Sequence, residues 1–140
     1  MRVTTDPAEI DLRLAHRWIA STYWAAGMPW ETFERACRHS LVFAVFDRDE
    51  QVGFARVVTD RATFAWLTDV FVDEPARGRG VAAHLMTAIM VDRRLRSLRR
   101  FVLATADAHG LYERFGFERL GDTAGRFMGI TRPASELYGE

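Results

Sequence analysis

Apolar positions near the start of the chain recur at helical spacing. Ile10, Leu14, Trp18 and Ile19 stand three or four residues apart, which predicts an amphipathic helix. Its start reads as Asp6-Pro7-Ala8-Glu9, with Asp6 capping, Pro7 in the first turn and Glu9 completing a box-like pattern. Arg2 to Thr5 reads as a short strand before it. Gly27 and Pro29 interrupt the pattern, and a second helix is expected from about Trp30 to His39, with Phe33, Ala36 and Cys37 on one face. The period then changes. Leu41 to Phe46 and Val52 to Thr59 flank the polar turn Asp47-Arg48-Asp49-Glu50, which predicts a β-hairpin. Thr63 to Val72, rich in aromatic and β-branched residues, predicts a third strand.

A helix follows from about Gly80 to Leu95, with Val81, Leu85, Ala88 and Ile89 at core spacing. The arginines at 93, 94, 96, 99 and 100 suit a helix C-terminus, where cations complement the dipole. Phe101 to Thr105 reads as a strand and Asp107 to Phe115 as a short helix. Gly116-Phe117 and Arg126 to Ile130 read as two final strands. The expected order is β-α-α-β-β-β-α-β-α-β-β. This is an α/β (α+β) chain with a mixed, mostly antiparallel central sheet flanked by helices. No linker, repeat or biased tract divides it, so residues 1–140 read as one domain.

Composition narrows the function classes. The chain has 140 residues, 49% hydrophobic and 27% charged, with 19 basic and 19 acidic side chains. A net charge of zero argues against a nucleic-acid binder. Every basic residue is arginine, so the chain has no lysine side chain to modify. A single cysteine, Cys37, permits no internal disulfide. The four histidines are scattered, and no Cys/His spacing suggests a metal site. The N-terminus lacks a signal-peptide pattern, and no apolar run is long enough to span a bilayer. No membrane association is therefore expected, and the expected location is the cytoplasm.

The segment from Val70 to Ala82 carries the chemistry. A strand runs into a Gly-rich loop, Arg77-Gly78-Arg79-Gly80, that opens a helix. Backbone N–H groups at such a junction can converge on an anion. Glycines permit close approach, and Arg77 and Arg79 add charge. The plainer reading is a tight turn with solvated arginines. Gly78-x-Gly80-x-x-Ala83 also fits a dinucleotide fingerprint, with Asp107 ending the next strand. Three features oppose an NAD enzyme: the spacer between Val72 and Gly78, the antiparallel strands upstream, and too little chain downstream for a doubly wound sheet.

Arg77-Gly78-Arg79-Gly80-Val81-Ala82 resembles the Arg/Gln-x-x-Gly-x-Gly/Ala signature of the GNAT superfamily of N-acetyltransferases, and Val70-x-Val72-x-x-Pro75 is similar to its lead-in. Further on, Leu111-Tyr112-Glu113-Arg114-Phe115-Gly116-Phe117 resembles the family's second signature. The element order matches over almost the whole chain, and Asp107-Ala108-His109-Gly110 is similar to the same stretch in small bacterial members. The resemblance implies an acetyl-CoA cosubstrate and no metal. The backbone of Val70, Phe71 and Val72 would pair with the pantetheine arm. The amides from Arg77 through Gly78, Arg79, Gly80 and Val81 to Ala82 would hold the pyrophosphate. Tyr112 falls at the position of a general acid. A phenol of pKa about 10 stays protonated at neutral pH and can donate to a thiolate whose thiol titrates at about 8.5.

A base must take the proton of the attacking ammonium. Many members place a glutamate on the strand before the loop. This chain offers Asp69 there, beside Thr68 and near Trp66. Asp69 is the leading candidate base, with a buried structural carboxylate or an ammonium anchor as the other readings, and water as another route for the proton. Strand alternation sets Asp69 and Val70 on opposite faces unless a bulge intervenes. His109 reads as a cap or surface residue with a possible site role, while His84 and Cys37 read as structural. Tyr23, Trp24 and Trp66 are the candidate acceptor contacts, the first two in an aromatic loop that can form an apolar or cation-accepting wall. The expected acceptor is a small-molecule amine, and a homodimer is the commonest assembly for such a protein. A non-catalytic acyl-CoA-binding or partner-binding role is the alternative on the same fold.

Overall fold

A computed structural model describes residues 1–139. Its frame is a five-stranded sheet whose strands lie side by side in chain order. They are β1 (Arg2–Thr4), β2 (Leu41–Asp47), β3 (Glu50–Thr59), β4 (Phe64–Val72) and β5 (Arg100–Leu103). Neighbours are antiparallel from β1 to β4, and β5 joins β4 in parallel. The parallel step needs a crossover, which α3 (Val81–Val91) supplies.

Helices cover both faces. α1 (Leu12–Ala20) and α2 (Trp30–Arg38) pack Ile19, Trp18, Phe33 and Cys37 onto Val42, Ala44 and Phe54. On the opposite face α3 sets Val81, Leu85, Met86 and Ile89 against Phe43, Val45, Val57 and Leu67. The alternation of β2 explains this division: Val42 and Ala44 face one layer, Phe43 and Val45 the other, and all four are buried. A short helix, α4 (His109–Glu113), brings Tyr112 to the α3 side. α5 (Ala134–Tyr138) closes the described chain, and Tyr138 lies against Gly27 of the α1–α2 loop.

Three expectations change. The first helix starts at Leu12, capped by Asp11, whose carboxylate accepts from the Leu14 amide at 3.0 Å. Asp6 instead closes an isolated turn, and Glu9 accepts from the Thr4 hydroxyl at 2.5 Å. Gln51 fixes the later start by accepting from the Asp11 amide at 2.8 Å and donating to the Asp11 carbonyl at 3.0 Å. Second, α3 stops at Val91. Asp92 accepts from both the backbone and the guanidinium of Arg94, turning the chain into a 3-10 segment, Arg93–Leu95. The whole arginine run therefore lies beyond the helix. Third, the two expected final strands do not form. Phe117 docks its ring on Phe101 (5.2 Å) and Tyr112 (6.1 Å) and its amide donates to the Tyr112 carbonyl at 3.2 Å, without joining the sheet. Residues Gly121–Arg126 form a 3-10 turn, and α5 was not foreseen.

Candidate active site

The sheet parts along its β4–β5 seam. Parallel pairing runs from Phe64↔Arg100 to Leu67↔Leu103 and ends there, while β4 continues to Val72. Thr68 to Val72 therefore present one backbone edge to no strand among the described residues. An extended chain of a ligand can complete such an edge.

At the end of β4 lies the Gly-rich turn. Ala76 and Arg77 close a 3-10 turn onto Asp73 and Glu74. Gly78 and Gly80 then adopt φ of 81° and 82°, a region where a side chain is strained. Nothing lies within 4 Å of where their Cβ atoms would sit, so backbone conformation, and not crowding, calls for glycine. Gly80 caps α3 without a side-chain partner. Among the described residues, the amides of residues 78–83 donate to no protein acceptor. Amides without a protein acceptor at the start of an 11-residue helix are groups to which an anion can bind. The two arginines are otherwise engaged. Arg77 donates through Nε to the Val72 carbonyl at 3.0 Å and lies over Phe71. Arg79 pairs with Asp47, holding that carboxyl below its usual range.

Gly53 went unnoticed in the sequence because it sits in no motif. A Cβ there would lie 2.7 Å from Val81 Cγ1. It is the missing side chain of Gly53 that lets α3 begin against β3 and so places the amide cluster at the end of β4.

Against β5 and α4 lies a groove of about 390 Å³ lined by Leu103, Ala104, Thr105, His109, Tyr112 and Glu113, among others. Tyr112 is 8% exposed. Burial, assisted by the Asp107 carboxylate, raises its phenol above the ordinary value. The hydroxyl has no protein partner within hydrogen-bonding distance and is not sealed from solvent, so it remains available as a donor into the groove.

Asp69 sits on a β-bulge. The β3–β4 register slips between Phe54↔Phe71 and Arg56↔Thr68, and Asp69 has φ of 57°. The bulge turns Asp69 to the α1–α2 side while Val70 and Val72 pack on the α3 side; Phe71 stacks on Trp18 at 5.4 Å on the first side. Arg56 Nε donates to Asp69 Oδ2 at 2.9 Å, with side-chain exposures of 13% and 3%. Arg56 also donates to the Ser40 hydroxyl at 3.2 Å. Trp24 Nε1 and the Thr68 hydroxyl each donate to Asp69 Oδ1 at 3.4 Å. Through these contacts the carboxylate ties β3, β4 and the α1–α2 loop together. Asp69 and Tyr112 lie on opposite faces of the sheet.

The remaining candidates separate cleanly. Tyr23 and Trp24 are exposed on the α1–α2 loop with rings nearly perpendicular, 5.3 Å apart. Trp66 is part-exposed on β4. His84 is exposed on α3. Cys37 is buried near Arg56 and Asp69, and desolvation pushes its thiol up to about 12, as suits an inert core residue. Among the described residues no His/Cys/Asp/Glu cluster could hold a metal, and no helix is long and apolar enough to cross a membrane.

Comparison with known proteins converges on one family. Residues 38–119, more than half of the chain, match the acetyltransferase (GNAT) domain. A solved structure from Xanthomonas campestris pv. campestris, assigned to the GNAT family of acetyltransferases, is 44% identical. The alignment covers 99% of this chain and 96% of that one, with a TM-score of 0.90. A protein of Gibberella zeae, named as an acetyltransferase, is 27% identical over 133 residues, covering 79% of this chain and 74% of its own length. The fold is also shared by a GNAT-family acetyltransferase structure from Streptococcus pneumoniae, at 23% identity, 94% coverage of each chain and a TM-score of 0.68. A strand that leaves its neighbour halfway, an amide-lined turn at its end and a matching domain over the same residues lead to one conclusion: this chain belongs to the GNAT family of acetyltransferases.

Proposed function

We propose that the chain transfers an acetyl group from acetyl-CoA to a primary amine of a small molecule. The observation that carries this reading is the open β4 edge leading into the free amides of residues 78–83. The Thr68–Val72 edge would take the pantetheine arm as an added strand, and the turn at Gly78–Gly80 would take the pyrophosphate. The amine nitrogen attacks the thioester carbonyl carbon, forming the C–N bond as the C–S bond breaks. Tyr112 donates its proton to the departing sulfur, and its burial keeps the phenol protonated until that moment. Water carries away the proton lost by the amine and returns one to Tyr112. Asp69, held by Arg56, positions the loop around Trp24.

Thermal unfolding with acetyl-CoA, and with NADH as control, tests the reading. Acetyl-CoA at one hundred times its dissociation constant stabilises the fold by about 2.7 kcal/mol, a Tm rise on the order of several degrees. Stabilisation followed by thiol release in the presence of an amine supports transfer. Stabilisation without turnover on any amine supports a binding module instead, and a shift with NADH alone overturns the assignment of the turn.

A further inference from the structure

One part of the sheet face on the α1–α2 side is only partly covered. α1 and α2 cover the β1–β3 part of that face through Val42, Ala44 and Phe54. Beyond them on the same face stand Val58, Phe64 and Trp66, 37–39% exposed. Their neighbours Val57, Ala65 and Leu67 are buried on the α3 side, and alternation assigns Val58, Phe64 and Trp66 to the other. Val58 and Trp66 are register partners, so they form one apolar floor. The floor lies along the same strand as the Asp69 bulge, where β4 leaves β5.

Further along β4 the Tyr23–Trp24 corner, two rings at 88°, reaches the same face of the sheet at Asp69. The Trp24 indole N–H is committed to Asp69, so the ring offers the groove its faces and edges, not a donor. Donation to a carboxylate also leaves the indole more electron-rich, which strengthens attraction for a cation. The charges beside the corner cancel: Asp69 is paired with Arg56, and its side chain is 3% exposed. A ligand cation therefore meets π faces here and not a free carboxylate.

We propose that this corner and floor are the acceptor subsite, and that the acceptor is a primary monoamine bearing an aromatic or aliphatic hydrocarbon group. The proposal rests on the acetyl-transfer reading and names its substrate class. The ammonium lies against Trp24 and Tyr23 before it gives up its proton, and the hydrocarbon lies along Val58, Phe64 and Trp66. A diamine would bring a second charge to a site whose carboxylate is already satisfied. An amino sugar would lay its hydroxyls on an apolar floor without partners, at a desolvation cost.

The probes are 2-phenylethylamine, 1,4-diaminobutane and glucosamine, assayed with acetyl-CoA by thiol release and titrated calorimetrically into CoA-saturated protein. Phenylethylamine is expected to have the highest kcat/KM, by about tenfold or more. Trp24→Ala should raise its KM about tenfold, the scale of a desolvated cation–π contact, while leaving the acetyl-CoA KM unchanged. Trp24→Phe should recover part of the loss. Tyr23→Ala, at a side chain 78% exposed, should act in the same direction without burdening the fold. Preference for the diamine or the sugar overturns the proposal, as does an amine KM that neither Trp24→Ala nor Tyr23→Ala moves. If acetyl-CoA binds and phenylethylamine neither binds nor reacts, the substrate class is wrong and the transferase reading stands. If acetyl-CoA itself fails to bind, both fall.

Discussion

Tyr112 and Cys37 are both buried, acidic-hydrogen side chains, yet their surroundings give them opposite roles. Tyr112 keeps a hydroxyl free at the edge of the groove. Its replacement by Phe preserves the ring packing on Phe117 and removes only the proton. Tyr112→Phe should lower turnover on the order of a hundredfold, the usual scale for a general acid, with acetyl-CoA affinity within about twofold. Stopped assays and a binding titration on the same preparation check both halves, and unchanged turnover removes Tyr112 from the mechanism. Cys37 lies in the α1–α2 layer. Its folded thiol is pushed from 9.0 up to about 12, so between those values the unfolded chain is ionised and the folded chain is not. The unfolded state then binds fewer protons, and stability falls as pH rises from about 9 to 12. The slope reaches up to about 1.4 kcal/mol per pH unit. Denaturant titrations at pH 8 and pH 10.5 should show a smaller alkaline loss for Cys37→Ala than for the parent; equal losses would assign the effect to other groups.

At the scale of elements, the decisive junction is where β3, β4 and α3 meet. The motif at residues 77–82 was legible in the sequence because its glycines report local backbone conformation. Gly53 was not, because the reason for it lies across the sheet in Val81. Gly53→Ala should overpack this contact and destabilise by about 1–3 kcal/mol. Because the displaced element is the start of α3, it should also weaken acetyl-CoA binding. Adding Val81→Ala should return part of the binding; a strictly additive double mutant would show that the two residues do not interact. Gly80→Val tests the turn from the other side. A β-branched residue at φ of 82° costs on the order of 1–2 kcal/mol, and it should weaken acetyl-CoA binding measurably. Binding that survives Gly80→Val would reassign the phosphate cradle. The bulge at Asp69 was posed by the sequence as a condition and resolved only in three dimensions. Period-2 alternation cannot reveal which residue slips, since Arg56 and Trp24, which hold it, are remote in the chain.

Over the whole molecule, the expected mixed, mostly antiparallel sheet and its flanking helices appear, since long apolar patterns of clear period determine them. The C-terminal end departs from expectation. Strand propensity in Arg126 to Ile130 is real, but a strand also needs a partner edge, and the chain docks by Phe117 and continues across the surface instead. Met128 and Ile130 are 98% and 83% exposed, and among the described residues none after Phe117 contributes to either buried cluster. Removing residues 127–140 should therefore shift Tm by no more than about 3 °C. Tyr138, which lies against Gly27, would be lost with them, so the effect should be felt at the α1–α2 loop. A collapse of the fold on truncation would show that the tail carries core stability after all.

The parting of β4 from β5 has one more consequence, for solubility. An uncompleted strand edge in the middle of a sheet is a template for stray chains, the kind of surface from which aggregates grow. Here the exposed stretch begins at a bulge, with Asp69 in a left-handed backbone conformation and clamped from beneath by Arg56. A passing strand cannot run a regular ladder through that break. The kink that shapes the site is thus also its guard: it rejects an ordinary polypeptide neighbour while the protein waits for its ligand.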